Sequence, residues 1–169
     1  MLSAMNQRHH LILFCCAVVL LPFLTVSTYA QEPATLSEEA IRAMLNQSDR
    51  AAEKGNVTQM MAPVAKDVKI KLAITTPQSN GEQVGYPTRE ELESNFRHNM
   101  RLRRSYKIVR KNVKIKIYDD NTAMVESELY ETFTTRQGSL HSSSSEVLFV
   151  SLKDGKVAIN NIDVRMRVY

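Results

Sequence analysis

Few residues in this chain can carry proton or group transfer. Histidine is scarce, with 4 in 169 residues, and cysteine scarcer, with 2. Both cysteines, Cys15 and Cys16, lie in an apolar N-terminal run, so no thiol nucleophile or thiolate metal site is expected beyond it. His98 and His141 are the imidazoles outside that leader. Either could act as general acid or base if a carboxylate met it inside a pocket. His98 falls beside the apolar stripe of its segment, however, and His141 opens a strand, so both are expected at the surface. Asp67 is the most tempting carboxylate, yet a cap or turn between a short helix and a strand explains it. No His-x-His or paired His/carboxylate spacing occurs. No metal, no cofactor and no catalytic residue is therefore assigned.

The second chemistry available is recognition. Ile162, Val164, Met166 and Val168 alternate with Asp163, Arg165 and Arg167, and Asn160 shares the parity of the apolar set. A buried amide must find partners, so Asn160 either pairs locally near the strand end or orients a ligand. Met44, Met61, Met100 and Met166 sit on apolar stripes, where thioethers pack cores or line adaptable pockets. Tyr86 stands at the foot of a loop, a natural pocket mouth. These residues are the expected lining of a modest apolar cavity.

Arg97, Arg101, Arg104 and Lys107 belong to a basic stretch that runs to Lys116, with no acid between Glu93 and Asp119. Simple charge pairing accounts for part of it, with Lys114 and Lys116 facing Glu126 and Glu128 across a strand ladder. The functional reading is a patch for an anionic partner such as an envelope surface. A formal net charge of +4 is too mild to imply nucleic acid.

The elements that must position these side chains are legible in order. Arg8, His9 and His10, the apolar run Leu11 to Leu21, and Thr28-Tyr29-Ala30 have the layout of a signal peptide cleaved after Ala30. The run is too short to span a bilayer, which needs about 20 residues. Export, to the periplasm, and a single domain over residues 31–169 are expected. Thr35 or Ser37 caps a first helix through Ile41, Met44, Leu45, Ser48 and Ala52, ended by Gly55. Asn56 caps a short second helix that Pro63 closes. Asp67 to Thr76 alternates as a strand, and Pro77 to Pro87 reads as a loop. Thr88 to Glu91 is a capping box for a helix carrying Leu92, Phe96 and Met100 to about Arg104. Four strands follow: Tyr106 to Tyr118, Thr122 to Thr135, Leu140 to Leu152 and Lys156 to Tyr169. Their turns are rich in Asp, Asn and Gly, which predicts an antiparallel meander. Ser142 to Ser145 is expected at a strand start or on a solvent face. Helices first and a bent sheet after them make an α+β roll, or cone.

The segments Ala51 to Val57, Met60 to Val68 and Gly85 to Leu92, in this order and spacing, resemble the nuclear transport factor 2-like superfamily, also called SnoaL-like or the cystatin-like cone. The resemblance extends from about Leu36 to Val168. It implies helices wrapped by a curved, mostly antiparallel sheet, and a homodimer formed through the open sheet face. Ser48 and Leu72 fall where ketosteroid isomerase-like members keep a tyrosine donor and an aspartate base, so that chemistry is not expected. The superfamily hosts enzymes, binders and interaction modules, and fold does not settle function. The expectation is an exported, non-catalytic domain that binds a small apolar or anionic ligand or a protein partner. An isomerase- or dehydratase-type enzyme and a scaffold of a cell-envelope assembly are the alternatives.

Overall fold

A computed structural model describes residues 35–79 and 81–169. The expected signal peptide lies outside the described residues. Helix α1 spans Glu38–Lys54, α2 spans Val57–Met61 and α3 spans Arg89–Leu102. Strands β1 (Val64–Thr75), β2 (Gln83–Gly85), β3 (Ser105–Ile117), β4 (Thr122–Thr134), β5 (Ser139–Lys153) and β6 (Lys156–Val168) form one curved sheet in the order β2-β1-β6-β5-β4-β3. The meander β3 to β6 is antiparallel as expected, and β1 joins β6 in parallel. The stretch predicted as loop between Pro77 and Pro87 contains β2, a short antiparallel partner of β1.

Local chemistry sets the helix ends. Ser37 Oγ accepts from the Ala40 N–H, and Asn56 Oδ1 from the Gln59 N–H, each satisfying a donor that the first helical turn leaves open. Thr88 and Glu91 complete the expected capping box. Gly55 ends α1 in the left-handed region, at φ 74°. Two arginines donate to carbonyls at the helix C-termini. Arg103 donates to Ala52 O and Glu53 O at the end of α1, and Arg89 donates to Met61 O at the end of α2.

Three irregularities bend the sheet. Register shifts occur between Val64 and Lys69, between Lys111 and Lys114, and between Phe149 and Val150. Extra residues kink a strand and increase its twist, which curls the sheet around the helices. The second carries Asn112 at φ 52°. The third leaves Asn160 without an opposite residue on β5, because Val150 faces Ile159 and Phe149 faces Asn161.

The core fills the side where α1 and α2 meet β3 to β6, around Ile41, Met61, Val125 and Val150. Fully burying side chains of this kind contributes about 1.5–3 kcal/mol each. Leu92, Phe96 and Met100 of α3 pack against the same cluster while remaining partly exposed. Between that packed end and α3 the cone stays open.

Candidate functional site

The hollow has a volume of about 450 Å³. Much of its wall is apolar, with Met44 of α1, Leu72 of β1, Phe96 of α3 and Ile162, Val164 and Met166 of β6. The remainder is polar and is supplied by the middle of β3, β4 and β5 together with α1, and by Asn95 and Asn99 of α3.

Alternation places this polar wall. The even-numbered residues Tyr106, Ile108 and Arg110 of β3 face inward, as do the odd-numbered Ser127, Leu129 and Glu131 of β4 and the even-numbered Ser142, Ser144 and Glu146 of β5. Antiparallel register sets Ser127 opposite Glu146, Leu129 opposite Ser144 and Glu131 opposite Ser142. Asp49, four residues after Leu45 on α1, closes the group from the helix side.

Arg110 is the hub. Its Nε and Nη2 donate to the two oxygens of Asp49 at 2.9 Å each, in bidentate geometry. Its Nη1 donates to Ser127 Oγ at 2.7 Å and to Glu146 Oε1. Ser127 Oγ in turn donates to Glu146 Oε1 at 2.8 Å. The arginine side chain is 11 % exposed and that of Glu146 7 %, so the charges interact with little solvent screening. A second pair lies nearby. The Tyr106 hydroxyl donates to Glu131 Oε1, and Ser142 Oγ donates to Glu131 Oε2 at 3.1 Å. Burial, reinforced by the Glu131 charge and hydrogen bond, holds Tyr106 protonated far above the ordinary tyrosine range. Ser144 Oγ is buried without a hydrogen-bond partner among the described residues.

Of the residues expected to line a cavity, Met44, Met61 and Met166 do so. Met100 packs on the core cluster. Tyr86 is 74 % exposed and lies away from the lining. Asn160 sits outside the hollow, where its Nδ2 donates to Ser151 Oγ at 2.7 Å. The bulge opposite Val150 reverses the parity of β6 at this point, so Ile159 takes the inward place. Ser48 and Leu72 both line the hollow, and Ser48 Oγ donates to Met60 O.

The basic residues do not share one role. Arg97 donates to Glu93 at 2.5 Å and to Thr58 Oγ1, and its hydrogen bond lowers the Glu93 carboxyl below the ordinary range. Arg101, Arg104 and Lys107 are exposed. Lys114 faces Glu126 as expected, whereas Lys116 faces Met124 and Glu128 faces Lys111. His98, His141 and Asp67 are exposed, with Asp67 inside β1 rather than in a turn. Among the described residues no three of His, Cys, Asp and Glu are grouped to hold a metal ion.

Sequence reasoning missed Asp49, Tyr106, Arg110, Ser127, Glu131, Ser144 and Glu146. The signal was the one applied to Asn160: Glu146 shares parity with Leu148 and Val150, and Glu131 with Val125 and Leu129. The serine run, expected on a solvent face, contributes Ser142 and Ser144 to the interior.

Comparison of the sequence with protein-family models and with curated proteins gives no match. Comparison of the fold gives many. A scytalone dehydratase-like protein from Novosphingobium aromaticivorans superposes with a TM-score of 0.63 at 14 % identity, over 78 % of this chain and 83 % of its own. A calcium/calmodulin dependent protein kinase II association domain-like protein from Xanthomonas campestris gives 0.59 at 22 % identity, over 79 % and 89 %. The chain has the nuclear transport factor 2-like fold. A hexachlorocyclohexane dehydrochlorinase from Novosphingobium barchaimii shares this nuclear transport factor 2-like architecture, at a TM-score of 0.56 and 12 % identity over 76 % and 84 %. Such low identities speak for a common cone and leave the side chains inside it to be read on their own terms.

Proposed function

We propose that this protein is an exported domain that binds a small, mostly apolar molecule inside its cone. One observation carries the reading: a hollow of about 450 Å³ walled largely by apolar side chains, with a minority of polar groups that include Asp49, Tyr106, Arg110, Glu131, Ser144 and Glu146. Small-molecule sites combine apolar lining with a few placed polar groups in this way. The Arg110 network supports binding over turnover, because both oxygens of Asp49 are already engaged by the guanidinium. Nile red, a neutral apolar fluorophore, tests the reading. Saturable binding, weakened at least ten-fold by a cavity-filling Met166→Trp, supports it. No binding, or binding indifferent to that substitution, overturns it.

A second reading, an enzyme acting by proton transfer, is favoured by the Tyr106–Glu131 pair, an acid and a base joined by a hydrogen bond beside the hollow. Mass spectrometry of bound compounds recovered after prolonged incubation separates the two. Unchanged compounds support the binder, and converted ones the enzyme.

The proposal extends to compartment and assembly. N-terminal sequencing of the exported protein should begin at Gln31. A second copy covers the outer sheet face, where Val109, Tyr130 and Phe149 are exposed among the complementary charges of Lys111, Lys114, Glu126 and Glu128. Light scattering should then give twice the monomer mass.

A further inference from the structure

We infer that the cone receives a ligand with an apolar body and a protonated amine head, seated against Glu131, Ser144 and Glu146. This rests on the binding function above and adds the chemistry of the ligand.

Among the described residues the charged groups lining the hollow are Asp49, Glu131, Glu146 and Arg110: three carboxylates to one guanidinium. The single positive charge of Arg110 is shared between Asp49 and Glu146, while Glu131, among the described residues, accepts from the hydroxyls of Tyr106 and Ser142. The polar wall therefore carries an excess of negative charge in a poorly screened place. Its spare hydrogen-bonding capacity is of the matching kind. An ionised carboxylate accepts at about four sites. Glu131 accepts one hydrogen bond on each oxygen, and both hydrogen bonds to Glu146 fall on Oε1.

Ser144 supplies the independent observation. Its hydroxyl is buried and has no hydrogen-bond partner among the described residues, and its residue is 6 % exposed. On the inner face of β5 it stands between Ser142, which holds Glu131, and Glu146. The next inward residue on either side is about 7 Å along the strand, so Ser144 sits between two carboxylates. Buried polar groups in native proteins are hydrogen-bonded. An ammonium carries three donors and no acceptor, and one placed here satisfies the serine oxygen and a carboxylate together. A carboxylate head would meet like charge, and a hydroxyl head would leave the excess charge uncompensated. The apolar wall formed by Leu72, Phe96, Ile162 and Met166 then takes the body of the molecule.

Isothermal titration of the mature protein at pH 7 with 4-phenylbutylamine, 4-phenylbutanol and 4-phenylbutanoate varies the head on one skeleton. The amine should bind at least ten-fold more tightly than the alcohol, and the acid most weakly. Glu131→Gln should erase most of the preference for the amine over the alcohol. Ser144→Ala, the smaller perturbation, should weaken the amine several-fold and serves if Glu131→Gln does not fold. Alcohol or acid binding as tightly as the amine overturns the inference and leaves the binding function standing. Failure of all three while Nile red binds also overturns it alone. Failure of all four overturns both.

Discussion

Arg110 on β3 grips Asp49 on α1 through two hydrogen bonds of 2.9 Å each, and so ties the first helix to the far half of the sheet. The same guanidinium reaches across β4 to Glu146 on β5. Removing it leaves two carboxylates facing a poorly solvated interior. Breaking a buried pair from one side costs about 3–5 kcal/mol, whereas replacing the whole group with apolar side chains is often neutral. Arg110→Met should therefore lower the stability by about 3–5 kcal/mol in urea unfolding at pH 7. The triple change Asp49→Leu, Arg110→Met, Glu146→Leu should recover most of that. A single-variant loss below about 1 kcal/mol would mean that water reaches the network freely.

Tyr106 predicts an alkaline limit. Its folded-state pKa is raised above the ordinary value of 10.0 by burial first and by Glu131 second. The folded protein keeps the phenolic proton at a pH where the unfolded chain has lost it. The resulting stability is complete below pH 10 and is lost progressively above it. Melting temperature should fall as pH rises beyond 10, and Tyr106→Phe should flatten that fall. A variant with the same slope as the parent would assign it to other groups.

Ser144 predicts a stabilising substitution. A buried hydroxyl without a partner costs about 1–3 kcal/mol. Ser144→Ala removes that cost and leaves the strand pairing with Leu129 and Met166 intact. Thermal unfolding of the empty protein should show a gain of about 1 kcal/mol. A clear loss would place a tightly held water on the hydroxyl instead.

Gly55 predicts a two-part penalty. Its φ of 74° favours glycine, and a Cβ there would run into the Arg103 guanidinium. Gly55→Ala must adopt the left-handed conformation, at about 1–2 kcal/mol, and displace the arginine that caps α1. Adding Arg103→Ala should cost little more, because the cap is already disturbed. Additive losses in the double variant would separate the two effects.

The fold was largely legible because its signals are local. Thr88 to Glu91 spelled a capping box, Gly55 a helix end, and the turns at Asp119, Arg136 and Lys153 the meander. The bulges were not legible. Asn160 reads as inward by strict alternation from Ile162, and a single unpaired residue opposite β5 turns it outward. Glu146, Glu131 and Arg110 kept inward parity in the sequence too. Nothing local distinguishes a charged residue turned inward from one on a solvated face until its partners from another strand and from α1 are known.

The sequence by itself determined the order of the helices and long strands, though not the short β2, and that a bent sheet must cover the helices, since capping, alternation and turn chemistry act over a few residues. Only the tertiary structure decided what the hollow contains. Asp49, Arg110, Glu131 and Glu146 come from four elements far apart along the chain, and their meeting depends on sheet register and curvature, which no short window of sequence encodes.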